Sequence, residues 1–227
     1  MFDTTLTRII IEVVSAIVCI ILVKFMTKPY QLTKEARYLG LPLGFGFLGM
    51  SFAISAIVYS LKPNIFYMDL LWVQSLMRTF AFVFLAMTYY FSKKLSKDIR
   101  VASDMTFGLL IVVLVVLFLI IFVTPQVASQ YYSVSQIYVR SFDIICLTYV
   151  ALHTLRSHIK KPDPTTIWIP LGFILLAISQ YSLLFWYTDL SLAAFAGSMA
   201  LRLVGLFVFL LVSYRTFYSS GKLREEG

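Results

Sequence analysis

The hydrophobic positions of this 227-residue chain fall into seven apolar segments of roughly 20 residues, separated by short polar stretches. The segments run over residues 5–27, 38–61, 67–91, 104–124, 133–156, 166–187 and 191–216. A membrane-spanning α-helix needs about 20 consecutive, mainly apolar residues. The pattern therefore predicts an all-α, polytopic membrane protein with seven transmembrane helices.

The composition supports this class. Hydrophobic residues make up 60% of the chain and charged residues only 13%, whereas a soluble domain carries about 25% charged residues. The mean hydropathy is +0.87. The net charge of +8 is interpreted as a sign of cytoplasmic loops rather than of nucleic-acid binding, because the loops of membrane proteins concentrate lysine and arginine on that side.

Basic residues predict the orientation of the chain in the membrane. They cluster after segments one, three and five and in the tail, whereas only Lys62 lies between the other segments. The clustered residues are Lys24, Lys28, Lys34, Arg37, Lys93, Lys94, Lys97, Arg100, Arg156, Lys160, Lys161, Arg215, Lys222 and Arg224. The positive-inside rule then predicts a protein of the cell membrane with its N-terminus outside and a cytoplasmic C-terminal tail, 217–227.

Two short motifs occur twice, in the same order. Pro-Leu-Gly-Phe stands at 42–45 and again at 170–173, and a stretch of the form aromatic-Tyr-x-Asp-Leu stands at 66–70 and at 186–190. In each half the proline motif begins the second helix of a three-helix unit. The aspartate motif begins the third helix in the first half and ends the second helix in the second half. The shared order indicates an internal duplication.

Arginines mark the same two halves. Each proline motif follows an arginine and an acid on the preceding segment, namely Arg8 with Glu12 and Arg140 with Asp143. Each aspartate motif precedes a single arginine, Arg78 or Arg202. We therefore predict two parallel repeats, 1–91 and 133–216, joined by the linker helix 104–124.

This three-plus-one-plus-three order resembles the SWEET and PQ-loop transporters and, more distantly, the microbial rhodopsins. The resemblance is architectural, since the Pro-Gln motif is missing from the start of each repeat and segment seven has no lysine for a retinal Schiff base. No haem is expected either, because His153 and His158 lie on one helix. No cofactor is therefore predicted. The resemblance implies parallel repeats and transport of a small solute.

Charged residues inside the spanning segments are the candidate functional residues, because such residues are rare and costly in a membrane. They are Glu12, Arg78, Arg140, Asp143 and Arg202, with Gln74 one turn before Arg78 on the same face. We expect a layer in the outer half of the bundle, with Glu12 opposite Asp143 and Arg78 opposite Arg202. The layer is open to three interpretations: two structural salt bridges, a binding site for an anion, or a gate.

Pro42 and Pro170 each lie about one turn inside their helices. Paired with Gly44 and Gly172, they are candidate hinges, because an internal proline removes a backbone hydrogen bond. The alternative is that they occupy a first turn, where proline is tolerated. The two cysteines, Cys19 and Cys146, are expected to be free and buried, and no metal site is predicted.

The function classes left by the sequence are three. No catalytic motif is found, so an enzyme is not expected. A small-solute transporter, with an anion as the favoured solute, is the first hypothesis; a receptor or sensor subunit acting through a cytoplasmic partner and a structural subunit of a membrane complex are the alternatives. The predicted partners are the lipid bilayer and an unidentified small molecule, with a homo-oligomer or a membrane partner left open and no nucleic acid.

Overall fold

Every predicted helix is present in the structure, a computed structural model that describes residues 4–33, 38–60, 67–92, 97–123, 129–160, 162, 167–189 and 191–216. The helices are α1 (Thr4–Thr33), α2 (Gly40–Ser60), α3 (Tyr67–Phe91), α4 (Lys97–Val123), α5 (Ser129–Lys160), α6 (Trp168–Asp189) and α7 (Leu192–Tyr214). No β-strand occurs in these ranges. The all-α, seven-helix fold class is confirmed. The tail 217–227 lies outside the described residues, as do five of the other clustered basic residues, namely Lys34, Arg37, Lys93, Lys94 and Lys161, and the orientation stays a prediction.

Six helices are long and apolar enough to cross a membrane. The exception is α5, whose polar residues Gln136, Arg140 and Asp143 are all buried, whereas Tyr138 and Ile145 are exposed. Its 32 residues would span about 48 Å, more than the roughly 30 Å of a bilayer core. Its polar face thus points into the bundle and exposed apolar residues point outward, as they do in a helix that contacts lipid. The chain is a multi-pass membrane protein.

Six of the helices form a closed ring. Each helix contacts the next one around the ring: α1 contacts α2, α2 contacts α3, α3 contacts α5, α5 contacts α6, α6 contacts α7, and α7 contacts α1. Helix α4 stands outside the ring and packs mainly on α3, so that only 11% of its spanning stretch is buried. The two three-helix units thus meet at α3–α5 and at α1–α7, and the linker helix faces lipid.

Hydrogen bonds between α2 and α3 recur between α6 and α7. The Ser51 hydroxyl donates to the backbone carbonyl of Gln74 over 3.1 Å, and the Ser179 hydroxyl donates to that of Ser198 over 3.0 Å. The two serines are 128 residues apart, as are the two prolines of the sequence pattern. The two acceptors are 124 residues apart, as are the two single arginines. The match supports the duplication.

Two close helix crossings obey the same offsets. A Cβ on Gly44 would lie 2.7 Å from Cγ of Leu85, and a Cβ on Gly172 would lie 2.7 Å from the ring of Phe209. Gly44 and Gly172 are 128 apart, and Leu85 and Phe209 are 124 apart. Both glycines are needed for the same reason, namely that a large core side chain of the next helix fills the space where a Cβ would be. The duplication itself stays a prediction.

The candidate hinge prolines are the third residues of their helices, Pro42 in α2 and Pro170 in α6. The first four N–H groups of a helix have no partner within the helix. In α2 the N–H of Leu43, the residue directly after the proline, donates a hydrogen bond to the Leu39 carbonyl over 3.1 Å. Neither proline therefore removes a helical hydrogen bond. This placement favours the interpretation that proline is tolerated here, and a hinge role stays a prediction.

Both cysteines are free and buried, as expected. Cys19 belongs to the main apolar core, which is built by residues from every helix of the ring, among them Leu48, Phe82, Leu176 and Leu206. This core fills the half of the bundle away from the start of α1. The other half contains the cavity described below.

Candidate ligand-binding cavity

A cavity of about 310 Å³ opens between the six helices of the ring. Its lining comes from the first half of α1, α3, α5 and α7 and from the last part of α2 and α6. These are the ends that the sequence places on the outer side. The cavity therefore lies in the predicted half of the bundle, and both three-helix units contribute to it.

The predicted charge layer forms the polar part of the lining. Five of the six candidate ligand-binding residues line the cavity: Glu12, Gln74, Arg78, Arg140 and Arg202. The sixth, Asp143, lies beside Arg140 and is completely buried. Three guanidinium groups thus share the lining with one carboxylate, and all four residues are at most 3% exposed. The excess of cations makes the cavity electropositive.

Glu12 and Arg202 form a close salt bridge between α1 and α7. The Arg202 Nη2 and Glu12 Oε1 atoms are 2.9 Å apart. The Arg202 guanidinium also lies over the ring of Phe52, 4.4 Å from its centre. The other carboxylate oxygen of Glu12 accepts no hydrogen bond from the part of the chain that is described. This pair is one of the two cross-helix salt bridges that the structural interpretation of the layer requires.

Arg78 is held differently. Its Nε donates to the Ser51 hydroxyl over 3.3 Å, and its guanidinium lies 5.8 Å from the centre of the Phe52 ring. It forms no salt bridge with any residue in the described ranges. The Phe52 ring is thus a neighbour of both Arg78 and Arg202. The second cross-helix salt bridge, between Arg78 and Asp143, is not formed.

Gln74 continues the polar network one turn before Arg78. Its side-chain amide donates to the Ser55 hydroxyl, and its backbone carbonyl accepts from Ser51. Ser51 and Ser55 lie one turn apart on α2 and are both buried. Two serines of α2 therefore position the polar face of α3 towards the cavity.

Arg140 binds to α6. Its Nη1 donates to Oε1 of Gln180 over 2.7 Å, whereas the distance from the same atom to Oδ2 of Asp143 is 3.8 Å. The latter contact is too long for a hydrogen bond. The ion pair between Arg140 and Asp143, which lie three residues apart on α5, is therefore weak.

Arg8, at the mouth, does not pair with Glu12. Its guanidinium lies over the ring of Phe195 on α7, 4.3 Å from the centre. Arg8 is partly buried. Arg8 and Glu12 therefore both contact α7, Arg8 through Phe195 and Glu12 through Arg202.

Aromatic side chains line the rest of the cavity, and sequence reasoning did not assign them to it. They are Tyr59, Tyr67, Tyr132, Trp186, Tyr187 and Phe195. Tyr132 and Trp186 belong to the residue types that are enriched at membrane–water interfaces. Helical periodicity could have found part of this set, since Tyr67, Leu71, Gln74 and Arg78 follow one stripe of α3.

No protein-family model matches this sequence, and no curated protein and no solved structure matches it either. The seven-helix, all-α architecture agrees with the broad group of helical membrane proteins.

Proposed function

We propose that this protein binds a small anion in the arginine-lined cavity and transports it across the membrane. The observation that carries the proposal is the imbalance of the lining, where three buried arginines face one carboxylate. A buried charge is costly unless it is paired. An anion from outside would supply the missing partner.

Arg78 is the proposed principal contact for this anion. It lines the cavity and is outside any salt bridge in the described ranges, and only its Nε is bound to Ser51. A guanidinium with its terminal nitrogens available suits a carboxylate or a phosphate, which it can bind through two parallel hydrogen bonds. The ligand class is therefore a small carboxylate or phosphate.

The aromatic lining adds a second requirement. Rings from α2, α3, α5, α6 and α7 surround the arginines, and such rings favour contact with apolar or flat groups. An organic anion with a ring or a short apolar body fits this lining better than a fully hydrated inorganic ion.

Transport is supported by the relation of the cavity to the two halves. Arg78 comes from the first three-helix unit, and Arg140 and Arg202 come from the second. A substrate site at the interface of two repeats is typical of transporters with internal repeats. The resemblance to the three-plus-one-plus-three transporters points the same way, and with the proposed N-out orientation the cavity would open to the outside.

Uptake into proteoliposomes tests the proposal. The protein is reconstituted and offered labelled inorganic phosphate, acetate and benzoate, alongside the variants Arg78→Gln and Arg156→Gln. Arg156 is the matched control, because it is an exposed arginine of α5 outside the cavity. We expect uptake of at least one anion by the wild type and by Arg156→Gln, and a strong loss in Arg78→Gln.

The same experiment separates the alternatives. Binding of an anion without any flux would overturn transport and favour a receptor that acts through a partner protein. Absence of both binding and flux, together with an effect of Arg78→Gln on stability alone, would favour a structural subunit.

A further inference from the structure

Asp143 is an acid in an unusual setting. The residue is completely buried, and neither of its carboxylate oxygens accepts a hydrogen bond from the residues that the structure describes. Its nearest cationic atom, Nη1 of Arg140, is 3.8 Å away. Buried carboxylates that stay ionised are normally held by a close cation and by several hydrogen bonds, and Asp143 has neither.

Glu12 provides the contrast within the same layer. Glu12 is as deeply buried as Asp143, but its carboxylate lies 2.9 Å from the guanidinium of Arg202. Among the described residues, a close cation is therefore present for Glu12 and absent for Asp143.

Two arginines face Asp143, Arg140 from its own helix and Arg78 from α3, but both are bound elsewhere. Arg140 binds Gln180 of α6, and Arg78 binds Ser51 of α2. Of the remaining neighbours, the Thr79 hydroxyl of α3 faces the carboxylate, and Cys146 follows on α5. A completely buried carboxylate with so few close partners is a suitable place for a proton.

The geometry points to Asp143 as a proton-binding site that controls Arg78. With a proton on one carboxylate oxygen, the acid is neutral and Arg78 is available to an anion in the cavity. When the proton leaves for water in the cavity, the ionised Asp143 attracts Arg78. The two then form a salt bridge between α5 and α3 that repeats the Glu12–Arg202 bridge between α1 and α7.

The proton, rather than a metal cation, is the ligand of this acid. Two guanidinium groups act on the carboxylate, and they repel a metal ion that would need to keep its full charge beside them. A proton neutralises the acid and leaves no separate charge. The proton site does not depend on the proposed anion, whereas the control of Arg78 rests on the proposed function.

Infrared spectroscopy tests the proton site without any anion. The full-length protein in detergent is titrated over roughly pH 5–9, the range of perturbed buried acids. We expect the carbonyl band of a protonated carboxylic acid in the wild type, its loss in Asp143→Asn and its persistence in the matched control Glu12→Gln. A spectrum of Asp143→Asn identical to that of the wild type would overturn the proton site. If Asp143→Asn does not fold, Asp143→Glu serves instead: a shifted band supports the site and an unchanged band overturns it.

Benzoate binding tests the control of Arg78, because benzoate stays ionised over this range. The affinity of the wild type should fall by roughly 5- to 150-fold as the pH rises through the infrared midpoint, while Asp143→Asn should bind with the affinity of the protonated form at every pH. A wild type whose benzoate affinity does not change with pH would overturn the control of Arg78. If no anion binds at any pH, the proposed function fails, and the infrared result still decides the proton site.

Discussion

The two interfaces between the three-helix units contain the same charges but use them differently. At the α1–α7 interface the acid and the single arginine meet, with Glu12 and Arg202 2.9 Å apart. At the α3–α5 interface the corresponding residues, Asp143 and Arg78, form no salt bridge in the described structure. The first pair holds two helices together, whereas the second leaves a cation in the cavity and a buried acid whose oxygens accept no hydrogen bond from the described residues. A symmetric set of residues thus produces an asymmetric site.

The difference can be traced to two positions. Phe52 of α2 and Gln180 of α6 are 128 residues apart, as are the prolines. Phe52 offers its ring to the arginines, whereas Gln180 offers a carbonyl oxygen and binds Arg140. The arginine of the first helix also differs in register, since Arg8 is four residues before Glu12 and Arg140 is three residues before Asp143. One residue on a helix is a rotation of about 100°.

The largest expected effect comes from breaking the closed pair. Arg202→Gln leaves Glu12 buried without its cation, and breaking a buried ion pair from one side costs about 3–5 kcal/mol. We expect a clearly lower thermal stability in detergent, measured by the unfolding midpoint. Arg78→Gln breaks no such pair and should destabilise the protein much less.

The double variant Glu12→Gln with Arg202→Gln is the control for this effect. It removes both charges, so no unpaired carboxylate remains, and most of the lost stability should return. If the double variant is as unstable as Arg202→Gln, the loss of the salt bridge is not the cause of the lower stability. If Arg78→Gln destabilises the protein as much as Arg202→Gln does, the contrast between the two pairs disappears.

The glycine crossings provide a test of intermediate size. Gly44→Ala and Gly172→Ala each place a Cβ 2.7 Å from a core side chain, and overpacking of this kind typically costs about 1–3 kcal/mol. Similar losses are expected because the crossings are equivalent. Chemical or thermal unfolding of both variants measures them.

Gly46→Ala and Gly197→Ala are the matched controls on helices of the two halves. A Cβ on Gly46 would have its nearest neighbour at 3.8 Å, and one on Gly197 would meet nothing within 4 Å. Both should be neutral or slightly stabilising, because alanine is the better helix former. A large loss in only one of Gly44→Ala and Gly172→Ala would count against equivalent crossings.

The smallest expected effect concerns the matched serines. Ser51→Ala and Ser179→Ala each remove one buried hydrogen bond to a backbone carbonyl, which contributes about 0.5–1.5 kcal/mol. Ser51→Ala should cost more stability than Ser179→Ala, because it also leaves Nε of the buried Arg78 without its acceptor. Only Ser51→Ala should also change anion binding, since Ser51 holds Nε of Arg78; a change in Ser179→Ala of the same size would contradict this assignment.

The sequence predicted the fold and much of the site. Seven helices follow from the length of the apolar segments, and five of six candidate ligand-binding residues line one cavity because buried charge in a membrane has to face inward. The separation of Arg78 from Asp143 could not be predicted. It depends on the hydrogen bonds that the arginines form with neutral side chains, Arg78 with Ser51 and Arg140 with Gln180. Helical periodicity does not contain this information.

The aromatic lining shows a second limit. Tyr132 and Trp186 carry the signature of residues at a membrane surface, and the same amphipathic side chains suit the mouth of a cavity. Only the packing of α5 and α6 decides between the two roles. By contrast, the predicted duplication was inferred from spacing in the sequence, and the matching contacts of Ser51 and Ser179 agree with that prediction.

The most direct measurement is the affinity of the purified protein for acetate, benzoate and phosphate at constant ionic strength, compared between the wild type, Arg78→Gln and Arg156→Gln. A hydrogen-bonded charge contact contributes about 1.5–3 kcal/mol, so we expect Arg78→Gln to weaken binding of the preferred anion by roughly tenfold to a hundredfold. Arg156→Gln should bind as the wild type does. Equal affinities in the wild type and Arg78→Gln, or equal losses in Arg78→Gln and Arg156→Gln, would contradict the assignment of the cavity as an anion site.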